Sequence, residues 1–150
     1  MNFTQDMKDP LSDNIGYFAT SSKDGKPNVV PMGLISAISD SQLMIVDVRM
    51  NKTRKNLAEN CMVSLAVTDT KRSQAYQFKG KATVITSGEL FDSCKKTVKE
   101  REEKRRQHIK LRFEETTDPK LRIKLAKRMN RTLHPKAVIV IDIEEIYPTM

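Results

Sequence analysis

The stretch VDVRMNKTRKNLAENCMVSLAV, Val46 to Val67, changes its periodicity twice. It opens as the end of an apolar strand, turns polar after Met50, and resumes as an apolar strand after Asn60. The polar part, KTRKNLAEN, has the spacing of a short helix, so the segment predicts strand, corner, helix, strand. At the corner, Asn51, Lys52, Thr53, Arg54 and Lys55 gather amide, hydroxyl and cationic groups where a helix begins. The first N–H groups of a helix lack intrahelical partners and carry partial positive charge, so the corner reads either as a solvated helix start or as an anion site. Asn51 or Thr53 can cap the helix, while Lys52 and Lys55, three residues apart, share one face.

Upstream, IGYFATSSKDGKPNVVPMGLIS (Ile15–Ser36) holds two apolar runs around an Asp24-Gly25 reversal, which predicts a hairpin of strands at about 15–21 and 28–37. Pro31 falls inside the second of these. Lacking a backbone donor, it implies an edge strand, a bulge, or a place where something other than a strand lies alongside. A turn at Ser39–Gln42 leads into LMIVDV, which completes a three-stranded antiparallel meander. Downstream of the corner, CMVSLAVTD is a fourth strand and AYQFKGKATVIT a fifth, with Gly80 in mid-strand marking a bulge or bend. HPKAVIVIDIEEIYP supplies a last strand.

Between the fifth and last strands lies a helical hairpin, at about residues 87–134. Thr86-Ser-Gly-Glu89 matches a capping box, and Leu90, Cys94 and Val98 follow at spacing four. From Lys99 to His108 there is no apolar residue, which predicts projection into solvent or against an acidic partner. Asp118-Pro119 starts a second helix, with Leu121, Leu125, Met129 and Leu133 repeating every four residues. The order β-β-β-α-β-β-α-α-β, with six strands and one glycine bend, suits a mainly β, small closed or nearly closed barrel with α elaboration, in a single domain over residues 1–150.

The 150 residues carry a net charge of +8. Lys95 to Lys136 contains 16 Lys and Arg against 6 Asp and Glu, a net +10, which leaves −2 for the rest of the chain. The basicity therefore belongs to the hairpin. No run of signal-peptide or membrane-span length is present, so a cytoplasmic location without membrane association is expected. Cys61 and Cys94 have no CxxC spacing and only His108 and His134 accompany them, so no metal site is expected. Both thiols are expected to be buried or half-buried, the histidines to sit at surface or helix-end positions, and the methionines to fill the core.

In this order and at these separations, GYFATSSKDGKPNVVPMG, VDVRMNKTRKNLAENCMVSLAV and YQFKGKATV resemble the pyridoxamine 5'-phosphate oxidase-like FMN-binding split barrels. The resemblance covers roughly residues 10–95 and 136–147. It implies a six-stranded antiparallel split β-barrel that forms a homodimer and holds FMN at the subunit interface. In such proteins the second strand runs along the flavin ring, which maps to Asn28, Val29, Val30, Pro31 and Met32. The third strand maps its contacts to Val46 and Asp47, and the phosphate corner maps to Asn51, Lys52 and Thr53. Residues approaching from the other subunit map near Gln74 to Gln77. Many members place Arg or a second Lys where Thr53 stands. The arginine-rich substrate features of the true oxidase have no counterpart in EEIYPTM, so FMN binding is carried over and vitamin B6 oxidation is not.

The implied function is an FMN-dependent oxidoreductase or flavin-binding electron carrier, in which FMN performs the hydride or electron chemistry. No side chain stands out as a general acid or base. A deazaflavin-dependent reductase on the same barrel is the near alternative, since that cofactor also has a ring and a phosphate. A non-enzymatic basic module for nucleic acid or protein is the alternative of another class, suggested by KKTVKEREEKRRQHIKLR. Glu100, Glu102, Glu103, Glu114 and Glu115 interrupt that run at helix spacings, which favours a solvated helix laced with i, i+4 ion pairs over a nucleic-acid surface. A partner-protein surface or a lid over the flavin groove is the remaining reading of the hairpin.

Overall fold

The computed structural model of the protein describes residues 2–149. Seven strands, β1 (Gly16–Ser21), β2 (Pro27–Met32), β3 (Ile35–Ala37), β4 (Gln42–Asp47), β5 (Met62–Asp69), β6 (Gln74–Ile85) and β7 (Ala137–Pro148), form one antiparallel sheet in the order β2-β1-β5-β6-β7-β4-β3. The helices are α1 (Gln5–Asp13), α2 (Lys52–Glu59), α3 (Glu89–Glu115) and α4 (Pro119–Met129). β2 and β3 stand at opposite edges of the sheet, yet only Gly33 and Leu34 separate them along the chain. A link that short reaches at most about 10 Å. The sheet must therefore curl until its edges meet, and the Val46 N–H donates to the Leu34 carbonyl at 3.0 Å beside the seam.

This corrects the expected strand count. The single strand at 28–37 is broken at Gly33-Leu34 into β2, which pairs with β1, and β3, which pairs with β4. One strand split across the closure gives seven segments from six. Pro31 is accommodated because β2 is an edge strand, paired on one side only.

The pleat of β4 and β7 sorts their side chains between two cores. Leu43, Ile45, Ile139 and Ile141 point into the barrel, where they meet Phe18, Leu65 and Phe78. Met44, Val46, Val138 and Val140 point outward and are covered by Phe91, Cys94 and Val98 of α3. Burial on both faces explains why LMIV and AVIVI are unbroken apolar runs instead of alternating ones. The bend at Gly80 is realised as a bulge: Lys79 pairs with Glu145 and Gly80 with Ile143, so Glu144 is the extra residue on β7.

Sequence reasoning missed α1. Its segment QDMKDPLSD carries Pro10 in the helix, and no propensity argument would nominate it. Tertiary packing makes it: Leu11 is buried, and Phe3 just before it meets Phe78 edge to face with centroids 5.8 Å apart.

The helical hairpin also departs from expectation. α3 begins after Gly88, which adopts φ 96° and offers no side-chain cap, so the Thr86–Glu89 capping box does not form. The 99–108 stretch is not wholly solvated, because Glu102 is buried. Within α3 the described residues make two ion pairs, Lys95–Asp92 and Arg105–Glu102, both at i, i+3 and not the expected i, i+4. Asp118 does cap α4, accepting from the Lys120 N–H at 2.9 Å. α4 ends at Met129, so Leu133 lies in the connection to β7, where it packs on the outer core.

Cys94 is buried as expected, but Cys61 is exposed at the start of β5. Burial pushes the Cys94 thiol up, against a smaller opposing pull from Arg101, so it is held as the neutral thiol. Both histidines are exposed. Among the described residues no group of three or more His, Cys, Asp or Glu could hold a metal ion, and no helix is long and apolar enough to cross a membrane.

Candidate functional site

The seam encloses a cavity of about 600 Å³, within the range of small-molecule and cofactor sites. Three segments build it. The split strand contributes Val30 through Leu34, the β4–α2 corner contributes Val46 and Val48 through Thr53, and the hairpin contributes Arg105, Arg131 and Leu133. One part of the wall is thus aliphatic, suited to a flat apolar ring. Its charged members, Arg49, Lys52, Arg105 and Arg131, are all cationic, and no carboxylate lines it.

The corner owes its shape to Asp47. Its carboxylate is fully buried, accepting the Met50 N–H at 2.7 Å and the Arg54 guanidinium Nη1 at 2.9 Å. Arg54 is thereby committed to the protein, and Lys52 is left exposed at the first position of α2. Asn51 occupies the N-cap position but makes no side-chain cap. The helix start therefore keeps free donors facing the cavity corner, the condition an oxyanion requires.

Thr53 is held from the other direction. The Asn28 amide Nδ2 donates to Thr53 Oγ1 at 3.2 Å and lies 3.4 Å from Thr20 Oγ1, to which Asn56 Nδ2 donates at 3.1 Å. This network ties β1, β2 and α2 together. With its oxygen accepting from Asn28, the Thr53 hydroxyl still has its own hydrogen to donate.

Of the residues mapped to the flavin, Val30, Pro31, Met32, Val46, Asn51, Lys52 and Thr53 line this one cavity. Asn28 stands behind it as the partner of Thr53, and Asp47 beneath it as the brace of the corner. Val29 faces outward and is 62% exposed. Gln77 donates to Ser64 Oγ across the β5–β6 pair at 2.9 Å, and the buried Gln74 Oε1 has no hydrogen-bond partner. Neither glutamine lines the cavity.

Sequence reasoning held a lid over the groove only as the remaining reading of the hairpin and assigned to the groove none of the residues, Arg105, Arg131 and Leu133, that it adds to the wall. Glu102, buried in α3, accepts the Leu133 N–H at 2.6 Å and so fastens the α4–β7 connection over the cavity. Arg105, one turn on, donates from Nη2 to the Arg131 carbonyl at 3.2 Å. No local signal singles out Glu102 among Glu100, Glu102 and Glu103 of that run, because its partner is a backbone amide 31 residues away.

A curled split barrel with an apolar, cation-rimmed cavity at its seam is the architecture of the pyridoxamine 5'-phosphate oxidase-like class. The chain belongs to the pyridoxamine 5'-phosphate oxidase family, whose model matches residues 3–150. An uncharacterized protein of Methanocaldococcus jannaschii is 32% identical over 149 residues, which are 98% of this chain and 80% of that protein. The crystal structure of HupZ from Group A Streptococcus superposes with a TM-score of 0.72 at 23% identity, covering 98% of this chain and 94% of that one. An FMN-binding protein from Syntrophomonas wolfei superposes with a TM-score of 0.61 at 18% identity, covering 95% and 80%. Looser likenesses, both at a TM-score of 0.53, are an F420 reductase (16% identity; 93% and 94% covered) and HutZ, the heme storage protein of Vibrio cholerae (14%; 90% and 85%). At these identities the likenesses speak for the fold, and the fold alone does not choose the bound ring.

Proposed function

We propose that the protein binds FMN in the seam cavity and works as a flavin-dependent oxidoreductase or electron carrier. One observation carries the reading: the cavity joins an aliphatic wall to a helix start bearing Lys52 and Thr53, with no carboxylate among its lining residues. Flavin binding agrees with the likeness to an FMN-binding protein of the same fold, and FMN supplies the redox chemistry when bound. The residues of this chain bind and orient. Val30 to Leu34 lie along one side of the ring, Lys52 and Thr53 take the phosphate, and Asp47 keeps the corner in register. A ring-and-phosphate ligand of the deazaflavin kind fits the same description, and the test separates the two by absorption.

The purified protein is expected to show flavin absorption bands and to release FMN on denaturation. A colourless protein whose addition leaves FMN fluorescence unchanged would end this reading, and a deazaflavin or heme spectrum would replace the cofactor. Lys52→Ala combined with Thr53→Ala is expected to weaken FMN binding by tenfold to about a hundredfold, the loss of one charge-assisted and one neutral hydrogen bond. Fluorescence titration with FMN and riboflavin in parallel checks the cause, because riboflavin has no phosphate to lose. Unchanged FMN affinity would place the phosphate elsewhere.

The site is completed, in this reading, by a second copy of the chain. The outer face of β1, β2 and β5 carries Tyr17, Val29 and Met62 at 56%, 62% and 49% exposure, and Tyr17 is flanked by Pro31 and Ala66. An apolar strip of this kind on a sheet face suits an isologous dimer. Tyr17→Glu is expected to convert a dimer to a monomer in sedimentation and to weaken FMN retention. A wild type that sediments as a monomer would exclude the interface.

A further inference from the structure

The second helix of the hairpin is a row of cations without acids. α4, PKLRIKLAKRM, holds five Lys and Arg and no carboxylate. The glutamates interleaved with the basic run, Glu100 to Glu115, all lie in α3. Among the described residues none of them pairs with a cation of α4. Asp118, at the N-cap, is occupied with the Lys120 N–H. The neutralisation expected of the hairpin's carboxylates therefore does not reach this helix.

Packing then sorts the cations by side. Leu125 is 1% exposed where α4 packs on α3, with Leu121 and Met129 half-buried beside it. Arg122 lies over the Phe113 ring, 4.3 Å from its centroid, and donates to the Thr116 carbonyl at 3.4 Å. Lys120, Lys124 and Lys127 are left on the far side, at the i, i+4, i+7 spacing of one helix face, and all three are exposed. Lys120 with Lys124, and Lys124 with Arg128, are like-charge pairs at i, i+4, and Lys120 also stands in the first turn, at the positive end of the helix dipole. Each arrangement opposes the helix that carries it, and each is relieved by negative charges laid along the face.

We propose that the Lys120, Lys124 and Lys127 face of α4 docks on the phosphate backbone of a nucleic-acid duplex. The composition of the face decides between polyanions. Ile123, 60% exposed, is the one large apolar side chain among the lysines, and α4 has no aromatic residue, which is too little apolar surface for insertion into a membrane interface. Unpaired bases would find no ring to stack on, so a duplex fits better than a single strand. Protein interfaces are depleted of lysine and enriched in arginine and aromatic side chains, so an acidic protein is the poorer match. None of the three lysines lines the seam cavity, and the proposal stands apart from the flavin reading.

The test is fluorescence anisotropy of a labelled DNA duplex titrated with the purified protein. Three phosphate contacts give a salt slope of about −2.7, so wild-type binding is expected to weaken about fortyfold or more between about 50 and 200 mM salt. Lys120→Ala with Lys124→Ala and Lys127→Ala is expected to weaken binding at least tenfold at the lower salt and to reduce the slope by about 2.7. All three side chains are exposed, so the fold is not at stake. Lys23→Ala with Lys26→Ala and Lys71→Ala removes the same net charge from exposed positions off the hairpin, and its binding is expected to stay within threefold of wild type. Absence of duplex binding by wild type overturns the proposal, and so does an equal loss in the two triple variants, which would reduce the effect to general attraction by a basic protein. Tighter binding to phosphatidylglycerol vesicles or to polyglutamate than to the duplex overturns it as well, in favour of a membrane or an acidic protein.

Discussion

Asp47→Ala is expected to lower the free energy of unfolding by about 3 kcal/mol. The carboxylate is completely buried and is the acceptor for both the Met50 N–H and the Arg54 guanidinium. Removing it leaves a backbone donor unsatisfied and a cation without its partner. Arg54 is one-third exposed and can recover part of its hydration, which places the loss at the low end for a broken buried pair. Asp47→Asn keeps an oxygen for Met50 and loses the ion pair, so about half the effect is expected. Urea unfolding measures both, with the slope of the transition unchanged. The corner should loosen as well, so FMN affinity is expected to fall in the folded Asp47→Asn protein. A loss below about 1 kcal/mol for Asp47→Ala would mean that backbone contacts, such as the Lys136 N–H on the Asp47 carbonyl at 2.8 Å, hold the corner by themselves.

Gly80→Ala is expected to be as damaging, for a reason of shape. A Cβ at residue 80 would stand 1.9 Å from the Asp142 carbonyl oxygen and 2.8 Å from its carbonyl carbon. Both are backbone atoms of β7, so no side-chain rotation relieves the clash. β6 and β7 would have to separate at the bulge, and with them the longest strand pair of the barrel. A loss of about 3 kcal/mol or more follows, at the upper limit for overpacking. Gly33→Ala is the matching control: a Cβ there meets nothing within 4 Å, and stability is expected to stay within about 0.5 kcal/mol. Equal effects at the two positions would show that glycine flexibility, and not close approach, is what Gly80 supplies.

Much of the architecture was legible because it is written in local chemistry. The Asp24-Gly25 reversal, the helix after Met50, the Asp118-Pro119 start and the Gly80 bulge each depend on residues within a few positions of one another. The basic helix start at the corner was legible for the same reason. α1 was not, since its formation rests on Phe3 and Leu11 finding the barrel interior. Nor was the false capping box at Thr86, where a glycine with positive φ takes the N-cap position without the hydroxyl bond.

The roles of particular charges divide in the same way. Nothing local distinguishes Arg54 from Lys52, yet the fold pairs the first with buried Asp47 and leaves the second facing the cavity. Nothing local distinguishes Glu102 from Glu103, yet one is buried against Leu133 and the other is exposed. By itself the sequence determined the family, most of the strands and helices, the polar and basic character of the β4–α2 corner and the confinement of basicity to the hairpin. Only the tertiary structure decided that one strand is split to close the barrel, that Asp47 braces the corner from beneath, and that two hairpin arginines reach the cavity. Periodicity and turn chemistry act over a few residues, whereas closure and charge pairing are settled between segments tens of residues apart, where only the packed chain brings the partners together.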